Sequence, residues 1–318
     1  MKGTVVTLVS GEALADGHGS TIIDQRKNAK ELADGLTSVL QANVNLSVLH
    51  GNKPQVGFVL FRSEVASHAL HTVPLDVCGA DTQGATGYMI AQAIRNKLLQ
   101  YKIEREVICI LTQTVVDTDT PDSSPLKAIG PWFDREKAEQ YRQTRKWDII
   151  EEPGRGYRRG VHSFPPRKIL EMNVIKDMVE EGKIVIAGGG GGIPVFYNND
   201  GILEGIEAVI DTEKVACMIA HNLNANILLI VIDSDEKFIR SGIMMDGFIT
   251  LSELDNIIDD QQILSNTVLG TLKAASEFLH RGGEQVMITN LLKLHQNLIN
   301  KKGLRIGVRN PSIDLFRL

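Results

Sequence analysis

The chain has 318 residues, which is enough for one large α/β unit or for two lobes. It is 43% hydrophobic and 23% charged, which is ordinary for a soluble globular protein. Its net charge of −5 gives no indication of a nucleic-acid partner, and no apolar window reaches the roughly 18 residues that a transmembrane helix needs, so we expect no membrane partner.

The N-terminal stretch MKGTVVTLVSGEAL fits a first strand better than a signal peptide, because it lacks a full apolar region and a small-residue cleavage site. The three cysteines, Cys78, Cys109 and Cys217, contain no CxxC pair and cannot all pair within one chain. This usage favours a reducing compartment, and therefore a cytoplasmic location, and argues against a zinc site. We expect no protein-bound metal site.

Short apolar runs alternate with longer amphipathic stretches along most of the chain. This alternation predicts βαβ units and a mainly parallel sheet that is covered by helices on both faces. The predicted strands are 5–9, 45–51, 56–61, 107–113, 183–189, 227–233 and 286–291. The predicted helices are 24–42, 83–101, 168–182, 211–224, 251–260 and 267–282.

Residues 117–166 interrupt this alternation, because they are rich in prolines and charges and show little periodicity. They also contain too much aromatic area for a disordered linker. We interpret the segment as a small protruding subdomain or lid. Its large aromatic residues are Trp132, Phe133, Trp147, Tyr157 and Phe164.

Three glycine-containing motifs follow predicted strands: Ser10-Gly11, His50-Gly51-Asn52 and the run Gly188–Gly192. Ligands of parallel sheets bind at the carboxyl ends of the strands, so these motifs are expected to share one cleft. Five consecutive glycines leave room for a group against the backbone, and a phosphate held by amide N–H groups is the first interpretation. A flexible strand-to-helix loop is the alternative.

Other candidate residues have two interpretations each. Gly79, Gly84 and Gly87 are predicted to lie where a loop enters a helix, which suits either an anion or close helix packing. Lys127 lies in a proline-bounded aromatic loop, where it either reaches a phosphate or stays on the surface. The basic cluster in GRGYRRG (154–160) either binds an anion or balances the glutamates before it.

Two aspartates end apolar stretches, Asp211 in AVID and Asp233 in ILLIVID. A carboxylate at a strand end either organises a lysine or a magnesium-bound phosphate, or caps the next helix. The capping interpretation is favoured for Asp211, because a helical stretch follows it directly.

The order of these motifs along the chain resembles that of carbamate kinases, within the amino-acid kinase superfamily. The resemblance runs nearly from end to end, and several of the matching blocks are specific to carbamate kinases. The blocks are SGEAL (10–14), QRKNA (25–29), HGNKPQVG (50–57), PLDVCGADTQGATGYM (74–89), TQTVVD (112–117), SPLKAIGPWF (124–133), EEPGRGYRRGV (151–161), PPRKILE (165–171), GGGGGIPV (188–195), LEGIEAVID (203–211) and ILLIVID (227–233).

The resemblance implies a three-layer αβα sandwich around a mainly parallel open sheet, with a small protruding lid at about 118–165, and a homodimer. It implies one continuous sheet shared by an N-terminal lobe (1–185) for carbamate or carbamoyl phosphate and a C-terminal lobe (186–318) for ATP or ADP. The implied reaction passes a phosphoryl group between carbamate and the nucleotide with Mg²⁺, usually toward ATP, in arginine or purine catabolism.

The resemblance also implies the residues of the site. The implied catalytic residues are Lys127, Asp211 and Asn52. The implied substrate-binding residues are Gly11, Gly51, Asn52, Lys53, Gln83 and Gly84. The implied nucleotide-binding residues are Gly188, Gly189, Gly190, Gly191, Gly192, Asp211 and Asp233.

Four positions depart from the family pattern. Glu12 stands where the family has an amide donor, and Lys53 replaces a glycine. Thr212 and Thr271 stand where the family has phosphate-contacting lysines, so that Lys127 alone of three such lysines matches. The loss of one donor of this kind typically costs about 10²–10³ in rate.

Two functions remain open on the sequence alone. The first is a divergent phosphotransferase of the carbamate kinase type with weak or altered activity, in which Lys53, Lys214 or Lys273 replaces the missing lysines. The second is a non-catalytic homologue that acts as a ligand-binding, regulatory or assembly partner. Both fit the same fold, and a fold does not by itself decide function.

Overall fold

The computed structural model of the chain describes residues 2–15, 21–118, 125–152, 154–260 and 264–308. The strands in these ranges are β1 (Thr4–Val9), β2 (Asn45–His50), β3 (Val107–Cys109), β4 (Gln113–Val116), β5 (Leu126–Phe133), β6 (Asp148–Glu152), β7 (Gly156–His162), β8 (Pro166–Ile169), β9 (Ile184–Ile186), β10 (Ile193–Tyr197), β11 (Leu203–Gly205), β12 (Ile227–Ile232), β13 (Gly247–Thr250), β14 (Gln285–Asn290) and β15 (Leu304–Gly307). The α-helices in the same ranges are α1 (Gly11–Leu14), α2 (Ile22–Gly35), α3 (Thr37–Gln41), α4 (Lys53–Val65), α5 (Leu75–Gln100), α6 (Arg135–Arg145), α7 (Met172–Glu180), α8 (Thr212–Asn222), α9 (Glu236–Arg240), α10 (Leu251–Asp259), α11 (Asn266–His280) and α12 (Leu294–Asn300).

The main sheet contains eight strands in the order β13-β15-β14-β12-β1-β2-β9-β3. All neighbouring pairs are parallel except β14 and β15, which are antiparallel. The central strands β1 and β12 are buried at every residue, as expected for strands with helices on both faces. Strands from both halves of the chain take part, since β1, β2, β3 and β9 come first in sequence and the other four follow.

Two hydrophobic cores lie on opposite faces of the main sheet. One contains side chains of α7, α8, α10 and α11, and the other contains side chains of α2, α3, α5 and α12. Alternate residues of β1 serve the two cores, Val6 and Leu8 in the first and Val5 and Val9 in the second. The predicted three-layer αβα sandwich around a mainly parallel sheet is confirmed.

A separate three-stranded antiparallel sheet, β5-β7-β6, forms with α6 the lid, which we define as residues 126–162. Its small core consists of Phe133, Ala138, Tyr141 and Trp147. The predicted lid is therefore present, but its strands and helix were not foreseen, because a sheet with so small a core shows little apolar periodicity. The predicted span of about 118–165 also includes residues 119–124 and 153, which lie outside the described residues. A further four-stranded sheet, β11-β10-β4-β8, takes β4 from the chain before the lid and its other three strands from the chain after it.

Two local predictions were wrong. Residues 56–61, predicted as a strand, lie inside α4, because a short apolar run fits a buried helix as well as a buried strand. Pro54 falls in the first turn of that helix, where a missing N–H costs no hydrogen bond. Gly79, Gly84 and Gly87, predicted at a loop, lie inside the long helix α5. Gly87 allows close packing, since a Cβ atom there would lie 2.3 Å from Cys109 Sγ.

Among the described residues, no helix is long and apolar enough to cross a membrane. The three cysteines are free thiols, with Cys78 and Cys217 buried and Cys109 exposed. Burial raises the pKa of Cys217 to about 12, so this thiol is an unreactive part of the core.

Candidate active site

The loops after β1, β2, β9 and β12 lie at one edge of the main sheet. These strands are parallel neighbours, and Val9 of β1 is in register with His50 of β2 and with Val231 of β12. Their carboxyl ends therefore lie together, which is where sheets of this kind bind ligands. The segments that follow them are Ser10-Gly11, Gly51-Asn52, Gly188–Gly192 and Asp233.

The first two of these loops touch through their backbones. A Cβ atom on Gly51 would lie 2.5 Å from the Gly11 nitrogen, and one on Gly11 would lie 3.1 Å from the Asn52 nitrogen. The Gly51 N–H donates to the Val9 carbonyl at 2.7 Å, which holds this loop beside β1. Both positions require the small size of glycine for this approach.

Asn52 lies between α5 and the glycine run. It occupies the N-cap position of α4, but its side chain makes no capping hydrogen bond. Instead, its buried amide donates from Nδ2 to Thr82 Oγ1 of α5 at 2.8 Å. A Cβ atom on Gly190 would lie 2.2 Å from Asn52 Oδ1. The residues predicted for substrate and for nucleotide are therefore in direct contact at this point.

The glycine run needs its glycines for two physical reasons. All of them except Gly189 have φ between 66° and 97°, where a residue with a side chain is strained. A Cβ atom on any of the five would also come within 3 Å of a side chain of the protein itself. The close approach inferred from the sequence is thus made by the chain's own side chains. These are, in order along the run, Leu49, His50, Asn52, Ile210 and Thr114.

Gln83 and Thr112 hold the glycine run in place. The Gln83 amide donates to the Thr112 carbonyl at 3.0 Å and accepts from the Thr112 N–H at 2.8 Å. The Gly188 N–H donates to Thr112 Oγ1 at 2.8 Å. Both ends of the Gln83 amide are therefore engaged with the backbone, while the neighbouring Gly84 lies exposed on α5. Thr112 was given no role by the sequence reasoning, although it begins the TQTVVD block (112–117).

His50 lies in a motif that the sequence assigned to the cleft, but the sequence reasoning gave the histidine itself no role. It is 1% exposed, and a Cβ atom on Gly189 would lie 2.6 Å from its Nε2 atom. Burial lowers the pKa of His50 to about 4, so the ring is neutral near pH 7. Its Nδ1 atom lies 3.2 Å from the Gly51 carbonyl, to which it donates when protonated there.

Lys127 brings the lid into the cleft. Its Nζ atom lies 2.9 Å from Asp211 Oδ1. Burial raises the pKa of Asp211, but Lys127, together with Lys53 and Lys214, outweighs burial and holds that pKa below its ordinary value. The expected cap of α8 is not made, because Asp211 occupies the N-cap position without a capping hydrogen bond. Its carboxylate is engaged by the lysine.

Lys53 is the second cation of the cleft. It is the first residue of α4 and is half-buried. Burial lowers the pKa of Lys53, but the carboxylates of Glu213, Glu12 and Asp211 raise it above its ordinary value, so the ammonium stays charged. The other two candidates to replace the missing lysines, Lys214 and Lys273, are exposed.

The sequence and the fold of this chain are similar to those of known kinases. The sequence model of the amino acid kinase family matches residues 17–290. The carbamate kinase of Pyrococcus horikoshii is 34% identical over 313 residues, covering 96% of this chain and 99% of that protein. The chain belongs to the amino acid kinase family, as a divergent relative of the carbamate kinases.

Two further relatives place the chain within the carbamate kinases. The carbamate kinase-like protein YahI of Escherichia coli is 33% identical over 297 residues, covering 91% of this chain and 94% of that protein. The carbamate kinase of Giardia lamblia bound to citric acid superposes with a TM-score of 0.86 at 30% identity, covering 96% of this chain and 98% of that one. The same Giardia enzyme bound to AMP-PNP gives 0.82 at 29% identity, with the same coverage.

The structure also places the other three positions that are expected to depart from the family pattern. Glu12, on α1, is half-buried, and its negative charge acts on Lys53 and on Arg158 of the lid. Thr212 is the buried first residue of α8. Thr271 is buried inside α11, where its Oγ1 atom donates to the Thr267 carbonyl at 3.1 Å. Residues 266–271 are the first residues of α11, so Thr271 is presented by a helix at this point of the described chain.

The basic cluster of the lid is balanced by a glutamate. Arg155 and Arg158 each have a guanidinium nitrogen 3.7 Å from a Glu152 oxygen, and both guanidiniums lie over the Trp132 ring, at 4.5 and 5.1 Å. Burial lowers the pKa of Arg158, while Glu152 and Glu12 oppose that effect. Of the two sequence interpretations, balance of charge is the one that the contacts support.

Asp233 is also engaged in an ion pair, since its Oδ2 atom lies 3.0 Å from Lys237 Nζ of α9. Within the part of the chain that the structure describes, no group of three His, Cys, Asp or Glu side chains is arranged to hold a metal ion.

Proposed function

We propose that the chain is a phosphotransferase of the carbamate kinase type, which transfers the phosphoryl group of carbamoyl phosphate to ADP. The supporting observation is that Lys127 from the lid pairs with the Asp211 carboxylate at 2.9 Å, while Lys53 from α4 lies close enough to lower the pKa of the same carboxyl. Phosphoryl transfer depends mainly on positioning and on neutralisation of charge. Lys127 and Lys53, which come from separate elements, supply the positive charge for this neutralisation beside Asp211.

In the proposed step, the bond between the carbamate oxygen and phosphorus breaks, and a bond forms between phosphorus and a β-phosphate oxygen of ADP. The products are carbamate and ATP. Lys127 and Lys53 neutralise the transferring group, and Lys53 replaces part of the charge absent at Thr212 and Thr271. The backbone N–H groups at the start of α4, beside Asn52, bind the substrate phosphate, because a helix N-terminus attracts anions.

The nucleotide is proposed to bind on the side of residues 186–318, against the Gly188–Gly192 run and near Asp233, and carbamoyl phosphate on the side of residues 1–185. The AMP-PNP complex of the Giardia enzyme supports nucleotide binding. Mg²⁺ fits as a counter-ion held by nucleotide phosphates, since this ion typically uses one or two carboxylates and keeps several waters. Asp211 is the carboxylate best placed for it. We also propose a cytoplasmic homodimer that serves arginine or purine catabolism, as the family resemblance implies.

We propose a rate below that of typical enzymes, because Glu12 adds a negative charge beside the phosphate site and two positions lack lysine. Each missing donor costs about 10²–10³ in rate when it is lost alone, and such losses are not additive. Lys53 offsets part of this deficit.

A non-catalytic role, in ligand binding, regulation or assembly, is the second candidate. The observation that favours it is that Glu12 acts on both Lys53 and Arg158, while Asp211 is paired with Lys127. Much of the cationic charge of the cleft is then neutralised by the protein itself, which disfavours transfer more than it disfavours nucleotide binding.

A coupled assay of ATP formation from carbamoyl phosphate and ADP separates the two functions. The test variant is Lys127→Met, and the matched control is Lys273→Met, because Lys273 is exposed on α11 and is not among the lysines that act on Asp211. Transfer by the native chain that is lost in Lys127→Met and kept in Lys273→Met supports the phosphotransferase. Binding of AMP-PNP without any transfer supports the second candidate.

A further inference from the structure

The lid rests on α4 through a direct backbone contact. A Cβ atom on Gly57 of α4 would lie 2.0 Å from both the nitrogen and the Cα atom of Gly130 on β5. The Gly130 carbonyl accepts a hydrogen bond from Arg158 Nε at 3.0 Å, which joins β5 to β7 at the same point. Helix and lid therefore meet with no side chain between them.

Aromatic rings continue this contact one turn further along α4. The Phe61 ring lies 5.7 Å from Phe133 and 6.2 Å from Tyr141, and Tyr141 lies 4.8 Å from Trp147, measured between ring centroids. Tilted rings at these separations stabilise one another beyond the area they bury. Three of the four rings belong to the lid, so the core of the lid extends onto α4.

Glu64 of α4 completes the contact with two ion pairs. Its carboxylate lies 2.5 Å from Arg159 Nη1 and 3.3 Å from Arg145 Nη1, both on the lid. Its side chain is only 15% exposed, and both guanidiniums lie over the Trp147 ring, at 4.7 and 5.4 Å. Because the carboxylate is shielded from water, its removal leaves two guanidiniums without their counter-charge.

This anchor is connected to both cations of the cleft. Lys53 and Glu64 lie near opposite ends of α4, about 16 Å apart along the helix axis. On the lid, Arg159 pairs with Ile129 in the β5–β7 register, and Lys127 lies two residues before Ile129. If the lid moves away from Glu64, β5 therefore moves Lys127 with it, whereas Lys53 stays in place on α4.

We propose that Glu64 is a positioning residue, which holds the lid against α4 so that Lys127 and Lys53 keep a fixed separation in the cleft. This deepens the proposed function and rests on it for the effect on turnover. Glu64 contacts the lid rather than the cleft, so its influence passes through Lys127. A misplacement of a catalytic group by about 1 Å costs up to roughly 10²-fold in rate.

The first test measures the lid without any reaction. Amide hydrogen exchange over residues 126–133 is compared in the native chain, Glu64→Gln, Glu64→Asp and the control Glu139→Gln. Glu139 pairs with Arg142 on α6 at 2.6 Å, with side chains 47% and 53% exposed, so it is a lid charge pair that the solvent already screens. We expect about tenfold faster exchange in Glu64→Gln, because a local contact is lost, and native exchange in the control. Glu64→Asp keeps the carboxylate and is expected to fall between the two.

The second test uses the coupled assay. We expect Glu64→Gln to lower kcat roughly 10- to 100-fold with the KM for ADP within about twofold, and Glu64→Asp to recover most of the loss. If Glu64→Gln does not fold, Arg159→Lys takes its place, since it keeps the charge and weakens the same contact. The proposal is overturned if residues 126–133 exchange their amide hydrogens at the same rate in Glu64→Gln and Glu139→Gln. It is also overturned if exchange is faster in Glu64→Gln but kcat is unchanged. A native chain without transfer refutes the proposed function, whereas the exchange result still tests the anchor.

Discussion

Replacement of Gly57 by alanine tests the backbone contact between α4 and the lid. The added Cβ atom would lie 2.0 Å from Gly130, whereas ordinary contacts begin at 3.4 Å, so the two backbones must separate by about 1.4 Å. If the lid moves by this amount away from α8, the 2.9 Å bond between Lys127 and Asp211 lengthens beyond hydrogen-bond range. Overpacking of this kind costs about 1–3 kcal/mol, which exceeds the gain of up to about 1 kcal/mol from the helix propensity of alanine.

We therefore expect Gly57→Ala to lower the free energy of unfolding by up to about 2 kcal/mol, after this gain is subtracted. Gly79→Ala in α5 is the matched control, because it is also a glycine inside a helix but a Cβ atom there meets nothing within 4 Å. It is expected to raise the free energy of unfolding by about 0.5–1 kcal/mol. Urea unfolding followed by circular dichroism measures both. If the two variants are stabilised equally, the contact between α4 and the lid is not as described.

Three further predictions concern the cleft. Lys53→Met is expected to lower phosphoryl transfer about 10²-fold in the coupled assay, while Lys273→Met, at an exposed position of α11, has little effect; equal rates in both would show that Lys53 does not face the phosphate. Glu12→Asn is expected to raise the rate roughly tenfold by removing a repulsion and adding a donor, whereas Thr271→Lys does not raise it, because position 271 is buried inside α11. Burial lowers the pKa of His50 from 6.5 to about 4, so the unfolded chain binds more protons than the folded chain between these pH values. The stability that the neutral ring contributes is therefore complete above pH 6.5. It declines as the pH falls toward 4, by up to about 3 kcal/mol. His50→Gln is expected to flatten this part of the pH profile of urea unfolding, and an unchanged profile would contradict a buried neutral ring.

The sequence allowed the architecture to be predicted where burial alone decides the structure. The continuous apolar runs of β1 and β12 occur because both faces of these strands are covered, and their pattern is unambiguous. Residues 56–61 have the same composition but form part of α4, since a run of six apolar residues fits either structure. The strands of the lid escaped prediction because their buried side chains are few and are divided between two small clusters, one aromatic and one shared with α4 and α5.

The grouping of the candidate motifs was predictable from the sequence, but the interactions of their residues were less so. The expectation that the glycine motifs gather at one edge of the sheet is confirmed by the contact between Gly11 and Gly51. The partners of Lys53 were not predictable, because Glu12, Asp211 and Glu213 come from distant parts of the chain. The composition of the glycine run indicated that some group lies close to its backbone. It did not indicate that this group is a set of side chains of the protein itself.

The central claim is that this divergent carbamate kinase relative still transfers phosphoryl groups by means of Lys127 and Lys53. The most direct measurement is the turnover number for ATP formation from carbamoyl phosphate and ADP, compared in the native chain, Lys127→Met and Lys53→Met. We predict turnover by the native chain below the common enzyme value of about 10 per second, and a loss of roughly 10²-fold in each variant. No transfer by the native chain, or a rate that neither substitution changes, would contradict the claim.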